Sequence, residues 1–152
     1  MKLCLILLLS AINILTSCAE IAEPEIHLIP KSYKGPIIII YGQKDGRPKK
    51  YEGSFRVYEI SKDGVLRTQF VQPKGFISPE KLQYYYFDEN GRQQLSYIER
   101  TTGAKEDNKP HTFTKEISVG TTRYLVGFLS EGDKYFNQLR KKIDELFPAK
   151  VQ

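Results

Sequence analysis

The sequence predicts a mainly-β domain, an antiparallel sandwich-like or barrel-like fold of about eight short strands followed by one C-terminal amphipathic helix. Three observations indicate this fold. Short runs of β-branched and aromatic residues alternate with turn-forming pairs, of which Asp63-Gly64 and Asn90-Gly91 are the clearest. The spacing of apolar residues changes to about 3.6 after Ser130, which is the period of a helix. The 10 Tyr and 8 Phe supply enough bulk for a single core.

Residues 1–17 form a predicted signal peptide that is removed. A cationic start at Lys2 leads into an apolar run from Leu3 to Leu15, and small residues then precede Cys18. A membrane-spanning helix needs about 20 apolar residues. This run is shorter and contains Ser10, so a cleaved export signal is favoured over a transmembrane anchor.

The four residues Leu15-Thr16-Ser17-Cys18 resemble a bacterial lipobox. That resemblance implies cleavage before Cys18 by the lipoprotein signal peptidase, attachment of diacylglycerol to its thiol, and acylation of the freed amine with a chain such as palmitate. Two or three acyl chains hold a protein firmly on a membrane, since each buried methylene contributes about 0.8 kcal/mol. Ala19, rather than Asp, follows the cysteine, which by resemblance to enterobacterial sorting implies the outer membrane where the cell has one.

The mature chain is predicted to have two parts. Residues 18–24 are the lipidated cysteine and an acidic tether, and residues 25–148 are a single β-rich domain with its C-terminal helix. Cys4 leaves with the signal and Cys18 carries the lipid, so no cysteine remains for a disulfide. Packing and hydrogen bonds alone must therefore stabilise the domain.

The first strands are predicted at Glu25–Ile29 and Ile37–Tyr41. The second run has five consecutive β-branched or aromatic residues between Pro36 and Gly42, which predicts a strand that is buried on both faces near the centre of the sheet. A polar, basic loop follows at Gln43–Gly53.

A first hairpin is predicted from Phe55–Ile60 and Val65–Val71, turning at Asp63-Gly64. Its parity places four apolar residues on one core face: Phe55, Val57, Leu66 and Phe70. Gln72–Lys81 contains two prolines and is predicted to be a connection rather than a strand.

A second hairpin is predicted from Leu82–Phe87 and Arg92–Glu99. With Asn90-Gly91 as a two-residue turn, Tyr86 opposes Leu95; a four-residue turn shifts the pairs but preserves their parity. Either register places the same five residues in the core: Leu82, Tyr84, Tyr86, Leu95 and Tyr97. The opposite face is the candidate binding face, with Tyr85, Phe87, Gln94 and Ser96, unless another layer or the C-terminal helix covers it.

Two further strands are predicted at Thr112–Val119 and Thr122–Leu129. Ser130 is then placed to cap a helix that ends before Pro148. The apolar stripe of this helix consists of Phe136, Leu139, Ile143, Leu146 and Phe147. A continuous stripe of this kind predicts a helix that packs on the sheet.

Four short motifs carry a further resemblance. They are Leu28-Ile29-Pro30 with Tyr33 and Gly35, Gly64-Val65-Leu66 with Thr68, Tyr84-Tyr85-Tyr86 with Asp88-Glu89-Asn90-Gly91, and Val126-Gly127. In this order and spacing they are similar to a domain of unknown function found in small exported bacterial proteins, over roughly Ile26 to Phe136. Members of that family read Val-Gly-Thr where this chain has Val126-Gly127-Phe128. The family has no established activity, so the resemblance implies no catalytic residue.

Motifs for catalysis, metals or cofactors are absent from the sequence. His27 and His111 are the two histidines and no free cysteine joins them, whereas a metal site needs three or four clustered ligands. There is no Gly-x-Ser-x-Gly elbow and no phosphate-binding glycine loop. The sequence therefore predicts no catalytic residue, no metal site and no cofactor.

The function predicted is that of a lipid-anchored, non-enzymatic cell-envelope protein that binds an envelope protein or glycan, or that has a structural role. The alternative is an envelope hydrolase that acts on polysaccharide or peptidoglycan. The net charge of +5 would suit nucleic acid, but export argues against that partner. A concave pocket with two or more carboxylates would favour the hydrolase, and a flat aromatic patch would favour the binding module.

Overall fold

The computed structural model describes residues 22–75, 77–98 and 107–148, so the predicted signal peptide and Cys18 lie outside the described residues. Within these ranges, nine strands form one sheet that curls into a half-barrel, and one C-terminal helix packs on its outer side. The elements are β1 (Glu25–Pro30), β2 (Gly35–Ile40), β3 (Tyr51–Glu52), β4 (Phe55–Glu59), β5 (Val65–Arg67), β6 (Leu82–Asp88), β7 (Gly91–Ile98), β8 (His111–Ser118), β9 (Thr121–Gly127) and α1 (Gly132–Leu146). The predicted class, a mainly-β barrel-like domain with a C-terminal helix, is confirmed.

The strand order is β3-β4-β1-β6-β7-β8-β9-β2-β5. Among the described strands, β1 pairs in parallel with both β4 and β6, β2 with β5, and β7 with β8, while the other four pairings are antiparallel. The sheet is therefore mixed rather than purely antiparallel as predicted.

The first predicted hairpin does not form, although its turn does. The carbonyl of Ser61 accepts a hydrogen bond from the Gly64 amide at 2.9 Å, which reverses the chain at Asp63. However, β4 already has β3 on one edge and β1 on the other, so β5 pairs with β2 instead. Consequently Phe55 and Val57 lie on the opposite face of the sheet from Leu66 and Phe70, and the predicted shared face is wrong.

The second predicted hairpin, β6 with β7, is confirmed. Its two-residue turn is Glu89-Asn90 rather than the predicted Asn90-Gly91, since Asp88 pairs with Gly91 and Tyr84 lies opposite Leu95. The predicted parity holds, because Tyr84, Tyr86 and Leu95 all belong to the inner cluster and Leu82 packs against it. Tyr97 is 41% exposed, so its predicted core position is wrong. We define the inner cluster as the buried residues on the concave face: Ile29, Ile37, Ile39, Tyr41, Tyr58, Ile60, Leu66, Phe70, Tyr84, Tyr86, Leu95, Tyr124 and Val126.

Strand β2 is buried on both faces, as its apolar run predicts. Ile37 and Ile39 face the inner cluster, whereas Ile38 and Ile40 lie under α1. The strand is second from one edge of the sheet, so the prediction of a central position is wrong. The docked helix, rather than a central place in the sheet, explains the burial of its outer face.

Helix α1 packs on β2 and β9. Tyr135 and Leu139 are its most buried large side chains, and Phe147 is exposed. The predicted Ser130 cap is wrong, because a turn of 3-10 helix at Leu129–Glu131 precedes α1 and Glu131 occupies the capping position without a side-chain cap. No helix in the described ranges is both long and apolar enough to cross a membrane.

Candidate functional site

A cavity of about 270 Å³ opens at the end of the half-barrel where β1 begins. Its walls come from β1, β6, β7, β8 and β9 and from the connection between β5 and β6. The lining residues are Glu25, Tyr41, Gln72, Pro73, Gly75, Ile77, Pro79, Leu82, Tyr97, Lys115, Ile117 and Thr122. Most of this surface is apolar, so polar groups at particular points determine what the cavity can bind.

Buried polar residues form the floor of the cavity and exposed residues form its rim. Glu25 is 1% exposed, and the side chain of Lys115 is 14% exposed. At the rim, Tyr97 is 41% exposed and Ile117 is 69% exposed. A molecule that enters must therefore pass apolar surface before it meets the two charged groups.

Glu25 belongs to a hydrogen-bonded network on the concave face. Its carboxylate accepts bonds from His27 Nε2 at 3.1 Å and from the Tyr58 hydroxyl at 3.2 Å. The carboxylate can only accept, so Nε2 carries the proton and Nδ1 accepts from the Tyr124 hydroxyl at 3.1 Å. The rings of Tyr58, Tyr84 and Tyr124 surround the imidazole. His27 is thus a buried histidine with both nitrogens satisfied.

The ionisation states follow from this environment. Burial raises the pKa of Glu25, but hydrogen bonds and charge interactions with His27, Lys115 and Tyr58 outweigh it, and the net pKa is lowered. Burial lowers the pKa of His27 although Glu25 opposes this. Burial also lowers the pKa of Lys115, against the attraction of Glu25. At neutral pH the floor therefore holds a carboxylate at Glu25 and a neutral imidazole at His27.

Stability should fall as the pH is lowered from about 7.5 to 5.5. The folded-state pKa of His27 lies below its ordinary 6.5, so the unfolded chain takes up the proton first. The stability that the neutral form of His27 contributes is fully present above pH 6.5, and it is lost as the pH falls towards the folded-state pKa. Glu25, whose folded pKa is below 4.5, adds a further loss under more acidic conditions.

Thermal unfolding followed by circular dichroism across this pH range measures the effect. His27→Gln provides the control, because an amide can make both hydrogen bonds but does not titrate. Its melting temperature should depend less on pH than that of the parent, and an equal dependence in both proteins would contradict the assignment.

A β-bulge directs Lys115 into the cavity. Along β8, Phe113 pairs with Leu125 and Glu116 with Arg123, so β8 has one extra residue between these pairs. Thr114 adopts a φ of 53°, which is uncommon for a residue other than glycine. Without the bulge, alternation would place Lys115 on the same outer face as Phe113.

Gln72 holds the connection that forms one wall of the cavity. Its amide nitrogen donates to the carbonyls of Ser118 at 2.7 Å and Thr121 at 3.2 Å, and its amide oxygen accepts from the Gly120 amide at 2.8 Å. This side chain thereby fixes the connection to the β8–β9 turn, and its amide nitrogen is engaged by the two carbonyl groups.

The predicted binding face lies on the convex side of the sheet. Tyr85 and Phe87 are half-buried and pack against the outer cluster, which consists of Ile26, Leu28 and Val57 with Phe55 beside them. Gln94, directly across from Tyr85, and Ser96 are exposed. α1 packs elsewhere, on β2 and β9, so it does not cover this face. The four predicted residues therefore lie together but away from the cavity.

His111 is remote from this network. Its Nε2 lies 2.7 Å from the Asp107 carboxylate, as in an ordinary charge-assisted pair. Across residues 22–75, 77–98 and 107–148, no three histidine, cysteine or acidic side chains are grouped as metal ligands.

Sequence reasoning missed Glu25, Tyr41 and Lys115 as cavity residues. One signal was present, since Glu25 and His27 alternate with apolar Ile26 and Leu28. Two polar residues on one face of an otherwise apolar strand indicate a buried polar pair. The bulge that turns Lys115 inward has no comparable signal.

Comparison with known proteins places the domain in a family. Residues 22–126 match the model of a family of unknown function, DUF6843. A 2.75 Å crystal structure of a "Putative Lipoprotein" from Bacillus anthracis is similar to the chain, with a TM-score of 0.48 and 18% identity over 84% of this chain and 99% of that one. A search of curated proteins gave no significant match. Because the match covers more than half of the chain, the chain belongs to the DUF6843 family of unknown function.

Proposed function

We propose that the protein is a lipid-anchored cell-envelope protein whose half-barrel binds a ligand without transforming it. The anchor is attributed to Cys18, on the basis of the apolar run from Leu3 and the lipobox-like Leu15–Cys18 that follows it. In a cell with two membranes, we place the anchor in the outer one because Ala19 follows the cysteine.

The observation that carries the binding role is the composition of the cavity floor. Among the described residues that line the cavity, Glu25 is the one carboxylate, and it is engaged by His27 and Tyr58. Glycoside hydrolysis generally uses two carboxyl groups about 5 to 10 Å apart, one of which must be free to exchange a proton. A single engaged carboxylate beside Lys115 suits recognition better than the alternative of polysaccharide hydrolysis.

A second surface is proposed to contact an envelope protein or glycan. It is the convex face formed by Tyr85, Phe87, Gln94 and Ser96. In its favour, two half-buried aromatic rings adjoin exposed polar groups, an arrangement that suits both sugar stacking and protein contact. Tyr85 and Phe87 also cover the outer cluster, so replacing them would disturb packing as well as any contact.

The anchor is tested by Cys18→Ser. Without the thiol, the diacylglycerol cannot be attached and the lipoprotein peptidase should not cleave, so the intact mass should retain residues 1–17 and lack acyl chains. Labelled palmitate should enter the parent but not the variant. Cys4→Ser serves as the matched control, because this cysteine belongs to the predicted signal and its replacement should leave a lipidated chain that begins at Cys18. A Cys18→Ser protein that still incorporates palmitate would contradict the assignment.

A further inference from the structure

Of the two charged groups on the cavity floor, Lys115 has fewer interactions with the protein than Glu25. Its Nζ lies 4.0 Å from Glu25 Oε2, which is longer than a hydrogen bond. Each oxygen of that carboxylate already accepts a bond from His27 or Tyr58. An ammonium group has three donors, and no hydrogen bond from Lys115 is found within the described part of the chain. A ligand that brings an acceptor oxygen would therefore satisfy donors that the protein leaves open.

The bulge in β8 supports a ligand-directed role for this lysine. Thr114 adopts its positive φ where the extra residue enters the strand, and this reverses the side-chain alternation that follows. The result is a half-buried lysine in the cavity, where simple alternation would have placed it on the outer face. Strained backbone of this kind commonly occurs at functional sites.

The remaining surface of the cavity indicates an apolar body of modest size. Leu82, Tyr97 and Ile117 line the way to the floor, together with prolines of the connection. Drug-sized ligands occupy about 300 to 1,000 Å³, and this cavity of about 270 Å³ is smaller. A short acyl chain fits this shape better than a sugar, which would need hydrogen-bond partners around its whole edge.

The cavity must also lie close to the membrane if Cys18 is the anchor. Glu25 follows Cys18 by only seven residues, and a chain of that length spans at most about 25 Å. The cavity floor is thus held within reach of the lipid surface, where single-chain amphiphiles are concentrated.

We propose that the cavity binds the free carboxylate of a short or medium-chain fatty acid, with the ammonium of Lys115 holding the head group and the apolar walls holding the chain. This inference rests on the proposed role of an anchored binding module and names the ligand class for its cavity. The carboxylate and Lys115 form a charge-assisted pair, and Glu25 lies beyond it as the counter-charge.

The test compares three probes that share one chain: octanoate, its methyl ester and octylamine. Calorimetric titration into the mature chain, residues 18–152 with Cys18→Ser, should show that octanoate binds at least about tenfold more tightly than the other two, as hydrogen bonds to charged groups allow. The ester separates a free acid from an esterified lipid, and the amine tests whether Glu25 is the group that recognises the ligand.

Two substitutions test whether Lys115 is the group that binds the carboxylate. Lys115→Met should reduce octanoate affinity to that of the ester, whereas Lys115→Arg should retain the preference for the acid. Lys141→Met is the matched control, since that lysine is 83% exposed on α1 and should not affect binding. If Lys115→Met fails to fold, the affinities of the three probes for the parent protein still show whether the cavity prefers a free carboxylate.

Octylamine binding as tightly as octanoate, or more tightly, would overturn the carboxylate assignment but leave a cavity that binds ligands. If the methyl ester binds as tightly as octanoate, the assignment of a free carboxylate is overturned in favour of an esterified lipid. If none of the three probes binds, the inference is also overturned. The lipid anchor is independent of this result, because Cys18→Ser tests it in a separate experiment.

Discussion

Replacing Leu139 by alanine is expected to lower the free energy of unfolding by about 2 to 5 kcal/mol. Leu139 is 4% exposed and packs with Ile38, Ile40 and Leu125 between α1 and the sheet. Removing its side chain leaves a cavity in the contact that docks the helix. Urea denaturation followed by circular dichroism measures the change.

Phe147→Ala is the control for this prediction. Phe147 belongs to the same predicted apolar stripe but is 43% exposed at the end of α1. Its replacement should change stability by only about 0.5 kcal/mol, as for most surface positions. Equal losses in the two variants, or a Leu139→Ala protein as stable as the parent, would show that the helix does not dock as described.

Replacing Glu25 by alanine should destabilise the domain by about 3 to 5 kcal/mol. The change leaves Lys115 without its counter-charge and removes the acceptor for both His27 and Tyr58. The same denaturation experiment applies. Glu25→Gln, which keeps an acceptor oxygen but not the charge, should lose less.

Glu89→Ala is the matched control, because Glu89 is an exposed residue in the β6–β7 turn and should contribute little. If Glu25→Ala and Glu89→Ala have similar stabilities, the buried network around Glu25 does not stabilise the fold.

Local features of the sequence predicted local features of the fold. The turn predicted at Asn90-Gly91 lies one residue earlier, at Glu89-Asn90, but both turns give β6 and β7 the same parity. The burial of Tyr84, Tyr86 and Leu95 could therefore be predicted without knowing what they contact. The apolar run of β2 likewise predicted a strand buried on both faces. Both predictions depend only on residues near one another in the chain.

Pairing between distant strands could not be predicted in this way. The Asp63-Gly64 turn is present, yet which strand β5 joins depends on whether the edges of β4 are already taken by β3 and β1. That competition involves the whole sheet, and nothing in the residues around the turn encodes it.

In the candidate site, too, the local features could be predicted from the sequence and the long-range ones could not. The pairing of Glu25 with His27 is a local pattern on one strand, visible in the sequence as alternation. Lys115 reaches the cavity only because a bulge shifts the alternation of β8, and the run from Thr112 to Val119 reads equally well as a regular strand. The cavity itself forms only when strands far apart in the sequence, from β1 to β9, come together.

Ligand binding inside the half-barrel is tested most directly by a chemical-shift map of the isotope-labelled mature chain titrated with octanoate. We expect the perturbed amides to cluster around Glu25, Lys115 and Thr122, at the cavity. Perturbations confined to the convex face around Tyr85, Phe87, Gln94 and Ser96 would transfer the binding role to that surface, and a spectrum without changes would contradict binding in the cavity.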